Sequence, residues 1–188
     1  MALLNANFLA PSKGFYEPQR QFNWALEIAL DDAGDQQLIV TGLESFDGVS
    51  ESNDEIELQY ANEKRYVAGQ AAYEAAPLVL KDMVDVGVAA AIVRWRRQVY
   101  NPETGSIGLA RDYKKNADLT ITAPDQSSVR IWKFVGVWPQ AVKYGSLDMT
   151  SSDKVTIEVT LRYDKAVPST GLNSGLGGIN TGNLTLPL

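Results

Sequence analysis

The chain has 188 residues, of which 45% are hydrophobic and 21% charged, a composition that is ordinary for a globular protein. This length fits one domain with an appendage and is sufficient to bury a core. With neither cysteine nor histidine, the sequence excludes disulfides, thiolate nucleophiles, zinc sites with nitrogen or sulfur ligands, and histidine-based catalysis. The net charge of −6 argues against a nucleic-acid reader that works by neutralising phosphates.

The sequence also carries no sign of membrane insertion or secretion. No apolar run approaches the roughly 20 residues that a spanning helix requires. The first residues, Met1 to Ala10, lack the basic region of a signal peptide. We therefore expect a protein without membrane contact that is made in a cytoplasm and used there or in an assembled particle.

The N-terminal segment 1–19 mixes Asn, Pro and Gly with scattered apolar residues and shows no period, which predicts an extended arm. Its aromatic pair, Phe15 and Tyr16, fits two interpretations: a frayed terminus, or an arm that packs on a neighbouring subunit. From Arg20 to Leu30 the apolar residues alternate, so we predict a strand. The chain then turns at 31–35, and Gln37 to Leu43 is predicted as the return strand of a hairpin.

Segment 44–63 carries the largest charge asymmetry in the chain. It holds seven acidic residues and no basic one. Within it, Ile56, Leu58 and Tyr60 alternate with polar residues, which predicts a strand with an acidic face after a flexible stretch at 47–53. Such a face is either simply solvated, or it lines a channel or meets a basic partner. Lys64 to Ala76 has a weak pattern and is predicted as a long connection or protruding loop.

A short apolar strand, Pro77 to Lys81, precedes a change of period. Val88, Ile92, Trp95 and Val99 recur at helical spacing, so we predict a helix from about Val84 to Tyr100, with Asp85 near its start. The cluster Arg94 to Arg97 invites a nucleic-acid interpretation, although a solvated basic face is the commoner outcome. Segment 94–115 carries six basic and two acidic residues, the opposite balance to segment 44–63. The two segments are candidates to attract each other across a subunit boundary.

Three further strands complete the predicted order of four strands, one helix and three strands. They are Ala117 to Ala123, the doubly apolar and therefore central run Arg130 to Pro139, which Pro139 should end, and Lys154 to Tyr163. The last alternates strictly, with Val155, Ile157, Val159, Leu161 and Tyr163 on one side. The pattern predicts a mainly β protein, an antiparallel β-sandwich or partly closed barrel with one flanking α-helix.

Segment 134–164 resembles the closing strand pair of the tail tube proteins of contractile-tailed bacteriophages. It contains a strand ending at a Gly-x-x-Pro corner, then the pair Leu147-Asp148, a Ser/Asp turn at 151–153, and a long alternating strand rich in Thr and Glu. The rest of 15–165 matches that family only in order and spacing. The resemblance divides the chain into an N-terminal arm at 1–19, a tail-tube β domain at 20–165 and a Gly/Ser/Asn-rich tail at 166–188. Family members commonly end soon after the last strand, so this uncharged tail is a departure.

The resemblance implies a structural virion protein rather than an enzyme. It implies hexameric rings, each subunit adding strands to an inner barrel, stacked into a tube inside a contractile sheath through which the genome is ejected. The expected partners are further copies of the chain, the tail sheath protein, and, without specific binding, tape-measure protein and DNA in the lumen. No cofactor, metal or catalytic residue is implied. The tail of the virion is the expected location, with the host cytoplasm before assembly.

Combining the resemblance with the strand patterns gives two sets of candidate residues. A conduit for DNA needs a polar, preferably acidic lining, because like charge keeps phosphate from binding as it passes. The expected lumen-facing residues are Glu55, Glu57, Thr156, Glu158 and Thr160. The expected inter-subunit contacts are Phe15, Tyr16, Asp47, Glu51, Arg94 and Arg97.

Two alternatives remain open at this point. One is the related tube of type VI secretion, which shares the fold and carries effectors instead of DNA. The other, from a different class, is a small β-sandwich binding or hydrolytic module. For hydrolysis one needs convergent acid and base groups, and the pair Asp31-Asp32 is predicted to lie in a turn that supplies no pocket.

Overall fold

The computed structural model describes residues 19–84, 87–124 and 126–169. Antiparallel strands dominate this part of the chain, and three helices interrupt them. The strands are β1 (Trp24–Ile28), β2 (Leu43–Phe46), β3 (Glu51–Tyr60), β4 (Glu63–Tyr73), β5 (Ala76–Lys81), β6 (Tyr100–Asn101), β7 (Ser106–Ile107), β8 (Lys115–Thr122), β9 (Ser128–Tyr144), β10 (Thr156–Arg162) and β11 (Lys165–Ser169). The helices are α1 (Ala33–Gly42), α2 (Val88–Val99) and α3 (Ala110–Tyr113).

The main sheet is organised by β9, whose two halves have different neighbours. The first half pairs with β8 on one side and β11 on the other, and β1 extends this half-sheet beyond β8. The second half pairs with β10, and β5 and β2 follow, giving the second half-sheet. The order is therefore β1-β8-β9-β10-β5-β2, with β11 beside β9. The predicted class, a mainly β fold of antiparallel strands, is confirmed, and the sheet is not a closed barrel.

The core lies between the two half-sheets. Phe134 of β9 meets Phe46 of β2 at 5.9 Å and Tyr163 at 4.9 Å, both edge to face, so aromatic rings from the two half-sheets interlock. The predicted apolar side of β10 is confirmed, because Ile157, Val159 and Leu161 are all buried. The predicted helix is also confirmed as α2, which buries the stripe Val88, Ala91, Ile92, Trp95 and Val99. Asp85, expected near its start, lies outside the described residues.

The predicted hairpin between Arg20 and Leu43 is wrong. After β1 the chain forms helix α1 instead of a return strand, and β1 pairs with β8. Asp32 begins this helix, because its carboxylate accepts a hydrogen bond of 2.7 Å from the Gly34 amide and so satisfies one of the free donors of the first turn. The helix packs against α2, where a side chain at Gly42 would come within 3.1 Å of Val88. The described part of the chain therefore has two packed helices and a short third one, not the single flanking helix that was predicted.

Two other boundaries differ from the sequence prediction. The segment 64–76, predicted as a loop, contains strand β4, which pairs along its length with β3. Strand β9 does not stop at Pro139 but continues to Tyr144, and Pro139 stands opposite Leu161 of β10. Proline is tolerated there because β9 has a strand partner on one side only at this point, so the missing amide need not serve a ladder.

Gly136 marks the change of partner within β9. Its φ of +72° is a left-handed conformation that favours glycine. A side chain there would lie 2.3 Å from the Asp164 carboxylate, which Lys114 holds at 2.7 Å. The predicted tail at 166–188 begins inside the sheet, since 166–169 belong to β11. The remainder, 170–188, lies outside the described residues.

Candidate functional site

The second half-sheet has two open edges. Among the described residues, β9 pairs with β10 alone from Trp138 to Tyr144, and at the other end β2 pairs with β5 alone. An open edge presents unpaired amide and carbonyl groups to any further strand. The four strands from β9 to β2 therefore leave backbone groups without a strand partner at both ends.

The outward face of this half-sheet carries three of the expected lumen residues. Thr156, Glu158 and Thr160 alternate with the buried residues of β10, so they point away from the core. Glu158 forms an ion pair of 3.2 Å with Lys143, and Lys81 stands directly opposite Thr156. The face is therefore polar but of mixed charge, and its single glutamate is balanced by a neighbouring lysine.

Glu55 and Glu57 lie on a different element. Strands β3 and β4 form a two-stranded sheet of their own, called here the hairpin. One side of it, the acidic face, carries Glu55 and Glu57, with Glu57 paired to Lys64 at 2.9 Å. The opposite side, the apolar face, carries Ile56, Leu58 and Tyr60. Their partners across the hairpin are Val67, Arg65 and Glu63, and the Arg65 guanidinium lies over the Tyr60 ring at 5.4 Å. The structure thus separates the expected lumen residues into two sheets, and their shared orientation stays a prediction.

The base of the hairpin is tied to the main sheet. The Glu74 amide donates to the Ser50 carbonyl at 3.3 Å, so the two ends of the hairpin lie side by side. The Tyr163 hydroxyl lies within 3.4 Å of the Ser50 amide and 3.3 Å of its carbonyl, and burial raises the pKa of this phenol. Glu51 begins the hairpin, and the Asp47 amide donates to the Pro77 carbonyl. Both acidic residues are thus at the base, where their expected subunit contacts stay predictions.

The two arginines expected at a subunit boundary have different surroundings. The guanidinium of Arg94 makes two hydrogen bonds to the buried carboxylate of Asp35, one of them 2.8 Å from Nε to Oδ2. This bond lowers the pKa of Asp35, with burial acting against it, and raises the pKa of Arg94. Arg94 therefore joins α2 to α1 within one chain. Arg97 is half-exposed and forms a loose ion pair with Glu103 at 3.9 Å. The roles of Arg94 and Arg97 as subunit contacts stay predictions.

Phe15 and Tyr16 lie outside the described residues. The described chain begins at Gln19, on the wall of a groove of about 950 Å³ between β1 and β2, the two end strands of the main sheet. Its lining includes the aromatic residues Trp24 and Phe46.

A second cavity, of about 160 Å³, is lined by Asp31, Asp32, Asp35 and the basic residues that pair with two of them. The expectation that the pair Asp31-Asp32 lies in a turn without a pocket is therefore wrong. Two of the carboxylates in this cavity already have partners, because Lys115 pairs with Asp31 and Arg94 pairs with Asp35.

In the described ranges, no three acidic residues cluster in a way that would hold a metal ion. No helix in those ranges combines the length and apolar composition needed to cross a bilayer.

Sequence reasoning missed an exposed apolar cluster after α2. Strands β6 and β7 form a small ribbon in which Tyr100 stands opposite Ile107, and Leu109 follows two residues later. All three side chains are exposed. The available signal was the alternation of Ile107 and Leu109 around Gly108, which is too short to separate from a loop. Exposed apolar groups grouped in this way are typical of interaction surfaces.

Comparisons with known proteins agree with this arrangement. A family model described as the T4-like virus tail tube protein gp19 matches residues 20–167. A chain of the anti-feeding prophage baseplate superimposes with a TM-score of 0.62 at 14% identity, covering 84% of this chain and 99% of that one. A chain of the sheath-tube complex of the PVC extracellular contractile injection system gives a TM-score of 0.60 at 18% identity, covering 82% and 93%. A search of curated proteins gives no match.

The likeness to these solved structures supports the fold alone. The family model covers the whole described body of the chain, from before β1 into β11. The chain belongs to the T4-like virus tail tube protein family.

Proposed function

We propose that this tail tube protein assembles through its open sheet edges into hexameric rings that stack into the inner tube of a contractile tail. The observation that carries the proposal is the second half-sheet, whose edge strands β2 and β9 each have no partner on one side within the part of the chain that the structure describes. Pairing β2 of one copy with the second half of β9 in the next extends the sheet without a break. Because the two edges differ, the contact is head to tail, and it closes into a ring when the rotation from one copy to the next divides a full turn.

The outward face of that half-sheet forms the inner wall of such a ring. Its residues Thr156, Glu158 and Thr160 then look into the lumen, and the acidic face of the hairpin, with Glu55 and Glu57, continues the lining. The threonine hydroxyls are neutral and Glu158 compensates the charge of Lys143, which weakens phosphate binding at that point, whereas Lys81 adds a positive charge to the same face. DNA and tape-measure protein pass such a wall without a specific site.

The hairpin and its base supply the contacts between neighbouring rings. It extends ten residues in β3, which at about 3.3 Å per residue is roughly 33 Å, far enough to reach a second copy. Asp47 and Glu51 at its base and Arg97 on α2 are the charged residues we assign to these contacts. A sheath protein would surround the tube, and the tube would serve as the conduit for genome ejection.

Electron microscopy of the purified full-length chain at increasing concentration tests the proposal. We expect rings or tubes with sixfold symmetry and a central channel. A protein that stays a monomer at every concentration and ionic strength contradicts it. Rings of another order contradict the hexamer while leaving the edge pairing in place.

A further inference from the structure

The groove between β1 and β2 holds aromatic side chains that the described chain leaves partly or largely exposed. Its lining includes Trp24 and Phe46, whose ring centroids are 6.5 Å apart and which are only partly buried. Phe22 lines the same groove and is 74% exposed. Exposed aromatic groups gathered in a groove, with polar side chains beside them, are typical of a binding surface.

The described chain begins on the wall of this groove and turns before it enters β1. The Asn23 amide donates to the Arg20 carbonyl at 3.4 Å, which is the hydrogen bond of a β-turn. The Gln19 side chain donates to the Thr122 carbonyl of β8 at 2.8 Å, so the start of the turn is tied to the sheet. Because a β-turn reverses the chain and Gln19 itself lines the groove, the residues before it start at the groove.

The N-terminal arm carries its aromatic pair close to this point. Tyr16 and Phe15 stand three and four residues before Gln19 in the sequence. Four extended residues span at most about 14 Å, so both side chains stay within reach of the groove. A tether this short makes docking on the same chain intramolecular, with an effective concentration that is roughly millimolar. The aromatic pair of the arm is therefore favoured over groups that arrive from another chain.

The C-terminal tail is a poorer candidate for the same groove. It continues from Ser169, which stands opposite Ile131 of β9, and strands β9 and β8 separate β11 from β1. At about 4.8 Å between neighbouring strands, β11 lies roughly 14 Å from β1 across the sheet. The tail thus starts three strands away from β1, whereas the arm starts on the groove wall.

We propose that the N-terminal arm folds back on its own chain and that Phe15 and Tyr16 fill the groove, against Trp24 and Phe46. The contact lies within one subunit, so it requires no assembly and goes beyond the proposed function. The arm covers the side chains of the groove and leaves free the β2 edge that the ring contact uses. The aromatic pair then stabilises the subunit before assembly, instead of joining two subunits.

Thiol labelling measures whether the groove is covered, because the native chain contains no cysteine. Ser45→Cys places a thiol at an exposed position of the groove lining. In the full-length chain we expect iodoacetamide to react about tenfold more slowly than in a full-length chain that also carries Phe15→Ala and Tyr16→Ala. Ser106→Cys, which is exposed on β7 and does not line the groove, is the matched control. Its rate should be the same with and without the two arm substitutions.

Dilution below the assembly concentration separates the occupants. Protection by the chain's own arm does not depend on protein concentration, so an unchanged rate supports the inference. Protection that falls on dilution places a second copy in the groove and overturns it. Protection that survives the two arm substitutions but is lost with Leu184→Ser and Leu186→Ser places the tail there, which also overturns it. Equal rates with and without the arm substitutions mean an open groove and overturn it as well.

The same measurement distinguishes this inference from the proposed function. A chain whose Ser45→Cys thiol is protected by the arm, but which never forms rings, contradicts the proposed function and leaves the inference standing. Rings formed by a chain without that protection do the reverse.

Urea unfolding below the assembly concentration gives an independent readout. Phe15→Ala and Tyr16→Ala together should lower the urea midpoint by about 0.5–1 M, because two aromatic side chains lose their cover. Phe8→Ala, an aromatic truncation earlier in the arm, is the control and should leave the midpoint unchanged. Phe22→Ala should lower the midpoint in the parent but not in the chain whose arm is already truncated. Losses that simply add in the combined variant contradict the contact.

Discussion

The body of the molecule buries its apolar side chains, whereas the hairpin leaves many of its apolar side chains exposed. In the body, Leu78 and Leu80 are fully buried between the half-sheets, and aromatic rings from β1, β2, β9 and the turn after β10 pack against one another. In the hairpin, Ile56 and Leu58 are each 49% exposed. Alternating apolar and polar residues therefore occur both in core strands and in an exposed hairpin, and the packing of neighbouring elements determines whether the apolar side is buried. A strand that keeps its apolar side uncovered in one chain is suited to find its cover in another.

Deleting the hairpin should have the largest effect of the changes proposed here, because it removes one of the two compared regions. The Ser50 carbonyl and the Glu74 amide are 3.3 Å apart and Glu51 stands opposite Tyr73, so residues 52–72 can be replaced by Asn-Gly while the contact between Tyr73 and Tyr163 is kept. We expect assembly to be lost and the free energy of unfolding of the body to change by no more than about 1 kcal/mol. Electron microscopy and urea unfolding measure the two effects. Normal tubes from this variant would remove the hairpin from the assembly mechanism.

Truncating one leucine in each region should have opposite effects: the change in the body should lower stability, and the change in the hairpin should weaken assembly. Leu78→Ala removes a fully buried side chain and should lower the free energy of unfolding by about 2–5 kcal/mol. Leu58→Ala removes a half-exposed one and should change it by less than about 0.5 kcal/mol while weakening assembly. Urea titration of both variants at a concentration below assembly makes the comparison. Equal destabilisation would mean that the hairpin folds as part of the core.

Adding a methyl group to a glycine tests the same contrast through backbone strain. Gly136→Ala in the body meets both a positive φ of +72° and the Asp164 carboxylate, so it should cost about 1–3 kcal/mol. Gly69→Ala in the hairpin would place its Cβ 2.9 Å from the Asp54 carbonyl. We expect that strain to disturb the hairpin and assembly but not the urea midpoint of the body. A global loss at Gly69 would show that the two regions unfold together.

The same contrast explains what the sequence could predict. The alternation of β10 and the helical stripe of α2 were readable because each has one buried and one exposed side. Helix α1 was misread because Ile39 and Val40 stand together as in a strand, and it buries only Asp35, Ile39 and Gly42, through contacts distant in sequence. Strand β4 was missed because most of its side chains are exposed in the described structure, so its sequence shows no alternation of buried and exposed residues.

The candidate site was predictable to a lesser degree. The polar residues of β10 followed directly from alternation, but their balance of charge depends on Lys143, which arrives from β9 by sheet register. Likewise, the engagement of Arg94 depends on Asp35, 59 residues away in the chain. Pairings over such distances are set by tertiary structure, and a single sequence carries no record of them.

The smallest expected effect concerns pH. Arg94 holds the pKa of Asp35 below its ordinary value, so the folded state favours the charged carboxylate. The stability this contributes is complete above the unfolded pKa of about 3.9 and is lost as pH falls through the lower folded pKa. Asp35→Asn should therefore lower the free energy of unfolding by about 1 kcal/mol at pH 7, and the difference from the parent should shrink below about pH 4.

The hairpin provides the matched control for this effect. Glu57→Gln breaks an ion pair with Lys64 in which both side chains are about half exposed, and water already screens their attraction. We expect no measurable change in the urea midpoint of the isolated chain at any pH. Asp31 and Asp148 also have lowered pKa values, so the parent loses stability in acid for several reasons. The difference between variant and parent isolates Asp35, and a pH-independent difference would mean that its carboxylate acts through shape rather than charge.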